Sequence, residues 1–374
     1  MLSRVFIDNY KCFVNFTFKP SAKQLVLGVN GAGKSAFLDA LRAIRDFTRP
    51  GEKVDRIFNL DTRTRWQMLP QQSFELEVSG DGGIYIYTLW VQVQDSKPES
   101  RVIKETLDFN EKPLLLFLDD KVRLYDDRHQ KVAEYPFDSD RSALSVLGRR
   151  KTSSKLEWFR TWLDGLYCLR VDPTHMGAEA REEEEYLDDH LTNFAAWYSH
   201  VIQEQTATLV QLQRSLQAII DGFDSLDLRK MGRTARVLRA VFASEVSSSP
   251  STRLPVEFDF DELSDGQKML IALYTVLYTL VVPGATICLD EPDNFLALSE
   301  IQPWLFELSD RIEDVGAQVI LVSHHPELIN LMAPEHGVVF SRTGLGSVRA
   351  EPYHPDRISK LRPAEQIARG WERE

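Results

Sequence analysis

The chain has 374 residues, 43% of them apolar and 27% charged, with a formal net charge of −12. That balance excludes a disordered chain and a protein that coats nucleic acid over most of its surface, which would be basic, so any DNA or RNA contact is confined to a local patch. Three scattered cysteines, Cys12, Cys168 and Cys288, with no C-x-x-C pair, exclude a disulfide framework and a structural zinc site.

Residues 4–8, 13–18 and 24–28 are short apolar or alternating runs, broken by Asn9-Tyr10-Lys11 and by Pro20-Ser21, the pattern of strands. Arg4, Asp8 and Lys11 interrupt any apolar run, so no secretory leader is expected. After Ser35 the period changes. Phe37, Leu38, Leu41 and Ile44 recur at helical spacing, so a helix runs to about Phe47 and stops at Pro50 and Gly51. Residues 73–78 and 84–93 flank the hairpin turn Gly80-Asp81-Gly82-Gly83, and 101–109, 114–118, 121–125 and 131–135 continue as antiparallel strands. This meander reads as a β-subdomain laid against a parallel core.

Residues 155–166 place Leu156, Phe159, Trp162 and Leu163 on one helix face, and 166–171 form a short strand stopped by Asp172 and Pro173. Residues from about 179 to 220 are expected to be one long helical stretch. Its acidic start at 182–185 suits a solvated helix N-terminus. Residues 229–239 are basic, with Arg229, Lys230, Arg233, Arg236 and Arg239, and 247–252 form a polar loop. From 256 onward the order is strand (256–260), helix (267–282), strand (286–289), helix (301–315) and strand (318–322), the alternation of a parallel sheet with helices on its faces. The longest uncharged run, 269–289, is broken by Pro283 and Gly284, which leaves about 14 residues against the roughly 20 that span a bilayer. No membrane contact is expected, and the cytoplasm is the expected location. The boundaries read as an N-terminal lobe (1–150), a mainly helical insertion (151–250), a C-terminal lobe (251–345) and a tail (346–374).

Four motifs carry chemistry. Gly28-Val29-Asn30-Gly31-Ala32-Gly33-Lys34-Ser35 fits G-x-x-x-x-G-K-[ST], with a strand before it and a helix after it. Its glycines let the backbone amides turn toward phosphate oxygens, and the helix N-terminus favours anions. Asn30, Gly31, Ala32, Gly33, Lys34, Ser35 and Ala36 are its nucleotide-binding positions; Lys34 meets the β- and γ-phosphates and Ser35 suits Mg²⁺. Thr286-Ile287-Cys288-Leu289-Asp290-Glu291-Pro292 ends a buried strand in two carboxylates. By itself it reads equally as an acidic turn; below the first motif it is a Walker B site, with Asp290 on Mg²⁺ and Glu291 as general base. Leu263-Ser264-Asp265-Gly266-Gln267 precedes a helix and reads as a capping box or as a second phosphate-binding surface. Ile320-Leu321-Val322-Ser323-His324-His325-Pro326 places His324, rather than His325, where it senses the γ-phosphate.

Together, in this order, the four motifs resemble the ABC-type ATPases. The resemblance implies an α/β fold, an ABC-type P-loop ATPase head with an antiparallel β-subdomain and a helical insertion. It makes 263–267 the signature loop, close to LSGGQ with Asp265 in place of the first glycine. It also makes 293–298 the D-loop and His324 the H-switch. Sites in that family are composite, so it implies a homodimer or a related ATPase chain, with Ser264, Gly266 and Gln267 of one subunit completing the ATP and Mg²⁺ site of the other. Phe6-Ile7-Asp8-Asn9-Tyr10-Lys11-Cys12-Phe13 and the 230-residue interval from Lys34 to Ser264 are similar to the SMC/RecF/OLD-type branch. There Lys11 and Asn30 match phosphate-contacting positions. The interval lacks sustained heptads, so coiled-coil arms are not expected. The roughly 50 residues after His324 are too few for a Toprim nuclease domain. No Gln loop stands out: Gln67, Gln71 and Gln72 lie early, and 172–175 carry no glutamine where the family often has one.

The expected function is a Mg²⁺-dependent ATP-hydrolysing switch in nucleic-acid maintenance or antiviral defence. Residues 229–239 and Arg149-Arg150-Lys151 are candidate nucleic-acid contacts or simply a solvated helix face and loop. The alternative is an ATP-bound scaffold for a separate effector, a nuclease or toxin. A membrane-transport subunit is disfavoured by the long interval.

Overall fold

The structure, a computed structural model, describes residues 1–93, 100–146, 153–232, 234–243, 255–344, 346–356 and 360–370. It divides into two compact units, one of residues 1–168, 284–288 and 317–374, the other of 169–283 and 289–316.

The first unit holds two sheets. One is six-stranded, in the order Leu166–Leu169, Thr286–Asp290, Gln318–Val322, Lys23–Leu27, Gly337–Ser341, Arg349–Pro352. Lys23–Leu27 lies at its heart, parallel to Gln318–Val322 on one side and to Gly337–Ser341 on the other. Every residue of Thr286–Asp290 and of Gln318–Val322 is buried, as expected of near-continuous apolar strands covered on both faces. Gln318 is the exception in polarity. Its buried amide bonds the backbone N–H and carbonyl of Leu2, the carbonyl of Ser21 and the hydroxyl of Thr286, which satisfies it fully.

The other sheet is an eight-stranded antiparallel meander, in the order Phe16–Phe18, Leu2–Asp8, Gln71–Gly80, Gly83–Gln92, Arg101–Phe109, Lys112–Leu118, Lys121–Tyr125, Lys131–Pro136. The predicted hairpin turns at Asp81 and Gly82. The helix Lys34–Phe47 joins the two sheets. Phe37, in its first turns, meets Phe16 and Phe18 of the meander at 6.4 and 5.3 Å between ring centroids, and Phe340 of the parallel sheet at 5.8 Å. One continuous apolar cluster therefore runs from Val26 and Val322 through this helix to Phe74, Tyr87 and Leu107. The tail is structured as well. Arg349–Pro352 adds a strand to the parallel sheet, and Pro363–Ala368 is a short helix whose buried Gln366 bonds Tyr353, Asp356 and Leu361.

Among the described residues the second unit has four main helices, Phe194–Glu204, Thr206–Ile219, Asp265–Thr279 and Leu298–Val315, and a small antiparallel sheet. The Ser215 hydroxyl ties three of the helices, bonding Tyr278 Oη at 2.8 Å and Glu307 Oε1 at 2.9 Å.

Three expectations fail in this unit. The stretch 179–220 is not one long helix: Glu179–Ala180 is a strand and helix begins only at Phe194. The Asp188 carboxylate takes the backbone amides of His190, Thr192 and Asn193, a local bonding that competes with helix, and Leu191 has a φ of 59°. The acidic run at 182–185 is thus no helix N-terminus; Glu183 and Glu184 accept from Gln203 and Asn193. Residues 229–239 lie on a hairpin, Phe223–Met231 paired with Ala235–Ala243, rather than on a helix face. There Arg229 is ion-paired with Asp227 and Glu257, and Arg239 with Glu257 and Asp259. Arg233, residues 247–252 and Arg149-Arg150-Lys151 lie outside the described residues. The run 256–260 does not enter the parallel sheet. Pro255–Asp259 pairs antiparallel with Ala235–Ala243, because strand propensity does not specify a partner.

Among the described residues no helix is long and apolar enough to cross a membrane.

Candidate nucleotide site

The buried strand Lys23–Leu27 delivers the chain into a turn that only glycines adopt easily. Gly28, Gly31 and Gly33 have φ of 140°, 81° and 100°. A Cβ on Gly28 would lie 2.3 Å from the Phe340 carbonyl oxygen. One on Gly33 would lie 2.9 Å from Val348 Cγ2 and 3.0 Å from Cys12 Sγ. Gly31 faces open space. The loop is thus wedged at both ends and open in the middle, a cradle of backbone. Gly33 starts the helix Lys34–Phe47 with no side-chain cap, so the amides of its first turn are available to an anion.

Lys34 is buried and curls back over the loop, its Nζ donating to the carbonyls of Gly28 at 2.7 Å and Val29 at 3.2 Å. Asn30 and Ser35 are exposed; Ala32 is buried. Lys11, in a left-handed conformation, is ion-paired with Asp39 of the following helix.

The parallel neighbour Gln318–Val322 places its own tip beside this loop. His324 is exposed and shares a cavity of about 100 Å³ with Leu27, Gly28, Val29, Ile329, Val339 and Ile367 of the tail helix. His325 is used otherwise: its Nδ1 accepts from the Glu327 amide at 3.2 Å and caps the helix Pro326–His336. Of the two adjacent histidines, His325 caps a helix and His324 lines the cavity beside the glycine loop.

In the second unit, Asp290 is buried at the end of its strand. Glu291 adopts a φ of 51°, unusual for a residue with a side chain, and its carboxylate accepts from Asn294 Nδ2 at 3.0 Å. Such local strain is concentrated at functional sites. Ser264 caps the helix Asp265–Thr279: its hydroxyl accepts from the Gln267 amide at 3.3 Å, and Gln267 Oε1 accepts from the Ser264 amide at 3.1 Å. The capping reading is therefore satisfied, and the hydroxyl remains exposed. Gly266 is pressed against the 293–298 segment, where a Cβ would lie 3.1 Å from the Phe295 carbonyl. Phe295 itself has a φ of 71° and is 52% exposed.

Sequence reasoning did not find the walls of the cradle, Cys12, Phe340, Val348 and Ile367. They act through backbone or bulk rather than through a recognisable residue type.

Residues 217–330, which follow the glycine loop in sequence, match the family model described as "AAA domain, putative AbiEii toxin, Type IV TA system". Among solved structures, the chain is similar to the SMC head domain from Thermotoga maritima, at 13% identity and a TM-score of 0.47, over 95% of this chain and 99% of that one. It is also similar to an SMC head bound to the C-winged helix domain of ScpA, at 13% identity and a TM-score of 0.58, over 96% and 99%. The second similarity carries the fold. No curated protein sequence matches. The chain has the fold of an SMC head, and its residues 217–330 match the AAA-domain model.

Proposed function

We propose that this SMC-type head binds ATP with Mg²⁺ in the cytoplasm and hydrolyses it as a switch, two heads closing on the nucleotide. One observation carries the reading: the glycine loop is already shaped as an open backbone cradle, with His324 at its side in the same unit. Triphosphate fits that cradle, because Gly31 leaves space, the first helical turn is uncapped and Lys34 sits with its ammonium on the loop.

On this reading the residues take the following roles. Asn30, Gly31, Ala32, Gly33 and Ala36 contribute backbone to the phosphates. Lys34 exchanges its loop carbonyls for β- and γ-oxygens. Ser35 and Asp290 would hold Mg²⁺, which would supply charge neutralisation at those oxygens. Glu291, oriented by Asn294, takes the proton of the attacking water, and His324 steadies the γ-phosphate. Lys11, paired with Asp39 in the free head, would be a further phosphate contact. Ser264, Gly266 and Gln267 of a second head close the site. A Ser264→Asp substitution keeps the cap and the melting temperature but sets a carboxylate against phosphate, so it abolishes turnover. Ser264→Ala costs about 1 kcal/mol of stability. Wild-type turnover in Ser264→Asp would sink the composite site.

The process is nucleic-acid maintenance or antiviral defence. The neutralised arginines on Phe223–Met231 and Ala235–Ala243 favour a protein partner over a broad nucleic-acid face. An effector scaffold with little turnover is the second reading, favoured by the toxin named in the description of the matched family. Phosphate release from ATP, measured with Mg²⁺ and with EDTA, decides between them. Mg²⁺-dependent release supports the switch. Background release, with and without nucleic acid, overturns it and leaves the scaffold, which must then retain ATP binding.

A further inference from the structure

An exposed aromatic side chain stands at the flank of the cradle, and none of the roles above uses it. Trp66 is 40% exposed, and the guanidinium carbon of Arg342 lies 4.7 Å from the centroid of its ring. Arg342 is itself fixed, its Nε donating to the Gly346 carbonyl at 2.8 Å.

Both partners are anchored to the glycine loop. Arg342 lies in the connection between Gly337–Ser341 and Arg349–Pro352. Two residues before it, the Phe340 carbonyl abuts Gly28; six residues after it, Val348 abuts Gly33. Trp66 follows a segment laced onto the 9–13 turn. Lys11 N–H donates to the Thr62 carbonyl at 2.7 Å, and the Thr64 hydroxyl donates to the Phe13 carbonyl at 3.3 Å. That turn in turn presses Cys12 against Gly33. Burial pushes the Cys12 thiol up, and the nearby Arg342 charge opposes it. An indole and a guanidinium in one stack, partly open to solvent, form a shelf for a planar group.

We propose that Trp66 and Arg342 seat the base of the bound nucleotide, holding it by its π-face rather than by its hydrogen-bonding edge. The inference rests on the nucleotide reading given above. Stacking tolerates any purine because each has a π-face, so ATP and GTP bind alike.

Calorimetric titration of the wild type, Trp66→Ala and Trp66→Phe with ATP, GTP and inorganic tripolyphosphate, all with Mg²⁺, tests it. Trp66→Ala weakens ATP and GTP roughly tenfold or more, leaves tripolyphosphate unchanged, and Trp66→Phe restores most of the loss. Undiminished ATP affinity in Trp66→Ala, an equal loss of tripolyphosphate, or a wild type that prefers ATP over GTP by more than about tenfold would each overturn the base seat. The nucleotide reading would survive all three. A wild type that binds neither ATP nor tripolyphosphate overturns the nucleotide reading and the base seat with it.

Discussion

Replacing Glu291 with Gln lowers ATP turnover by about 10²–10⁴-fold and leaves ATP affinity near that of the wild type. The amide cannot take a proton from water, yet it matches the carboxylate in size. Its oxygen still accepts from Asn294 Nδ2, so the left-handed turn at 291 is held as before. The variant therefore folds, loads nucleotide and stops. With hydrolysis blocked, the closed two-head state accumulates, and size-exclusion chromatography with ATP shows a dimer that disperses when nucleotide is removed. Unchanged phosphate release in Glu291→Gln would remove this residue from the chemistry.

Gly28→Ala has the larger effect on the protein itself. The new methyl would meet the Phe340 carbonyl at 2.3 Å, on a residue whose φ of 140° is hostile to any side chain. The carbonyl has little room to retreat, because its strand is paired in parallel with Lys23–Leu27, the strand that ends just before Gly28. Strain and overpacking together cost at least about 2 kcal/mol. Relief comes only by displacing the loop, so ATP binding is lost and the melting temperature falls. Gly31→Ala is the control: nothing lies within 4 Å of its Cβ and only the φ of 81° opposes it. Its melting temperature falls less. Equal melting curves for the two variants would show that the contact at Gly28 is not what shapes the cradle.

The cradle was legible because its motif dictates its own backbone: glycines at fixed offsets, a strand before and a helix after. The meander was legible for a similar reason, since alternation and turn residues are local signals. What failed was non-local. Nothing near Val256 says that its strand will pair with Ala235–Ala243 rather than enter the parallel sheet. The helix propensity of 181–193 lost to the Asp188 carboxylate, a competition that composition does not reveal. The basic run at 229–239 reads from sequence as either a nucleic-acid contact or a solvated face. Its neutralisation by Glu257 and Asp259 depends on a pairing across some 20 to 30 residues. Lys11 likewise matched a phosphate-contacting position, and its ion pair with Asp39 appears only once helix and turn are packed together.

The position of Lys23–Leu27 at the heart of its sheet also sets a timetable. Leu25 pairs with Leu321, which the ribosome adds 296 residues later. At about 5–20 residues per second that interval is roughly 15–60 s, during which the glycine loop hangs from a strand with no lateral partner on that side. The strand's apolar residues must be shielded until that partner is made.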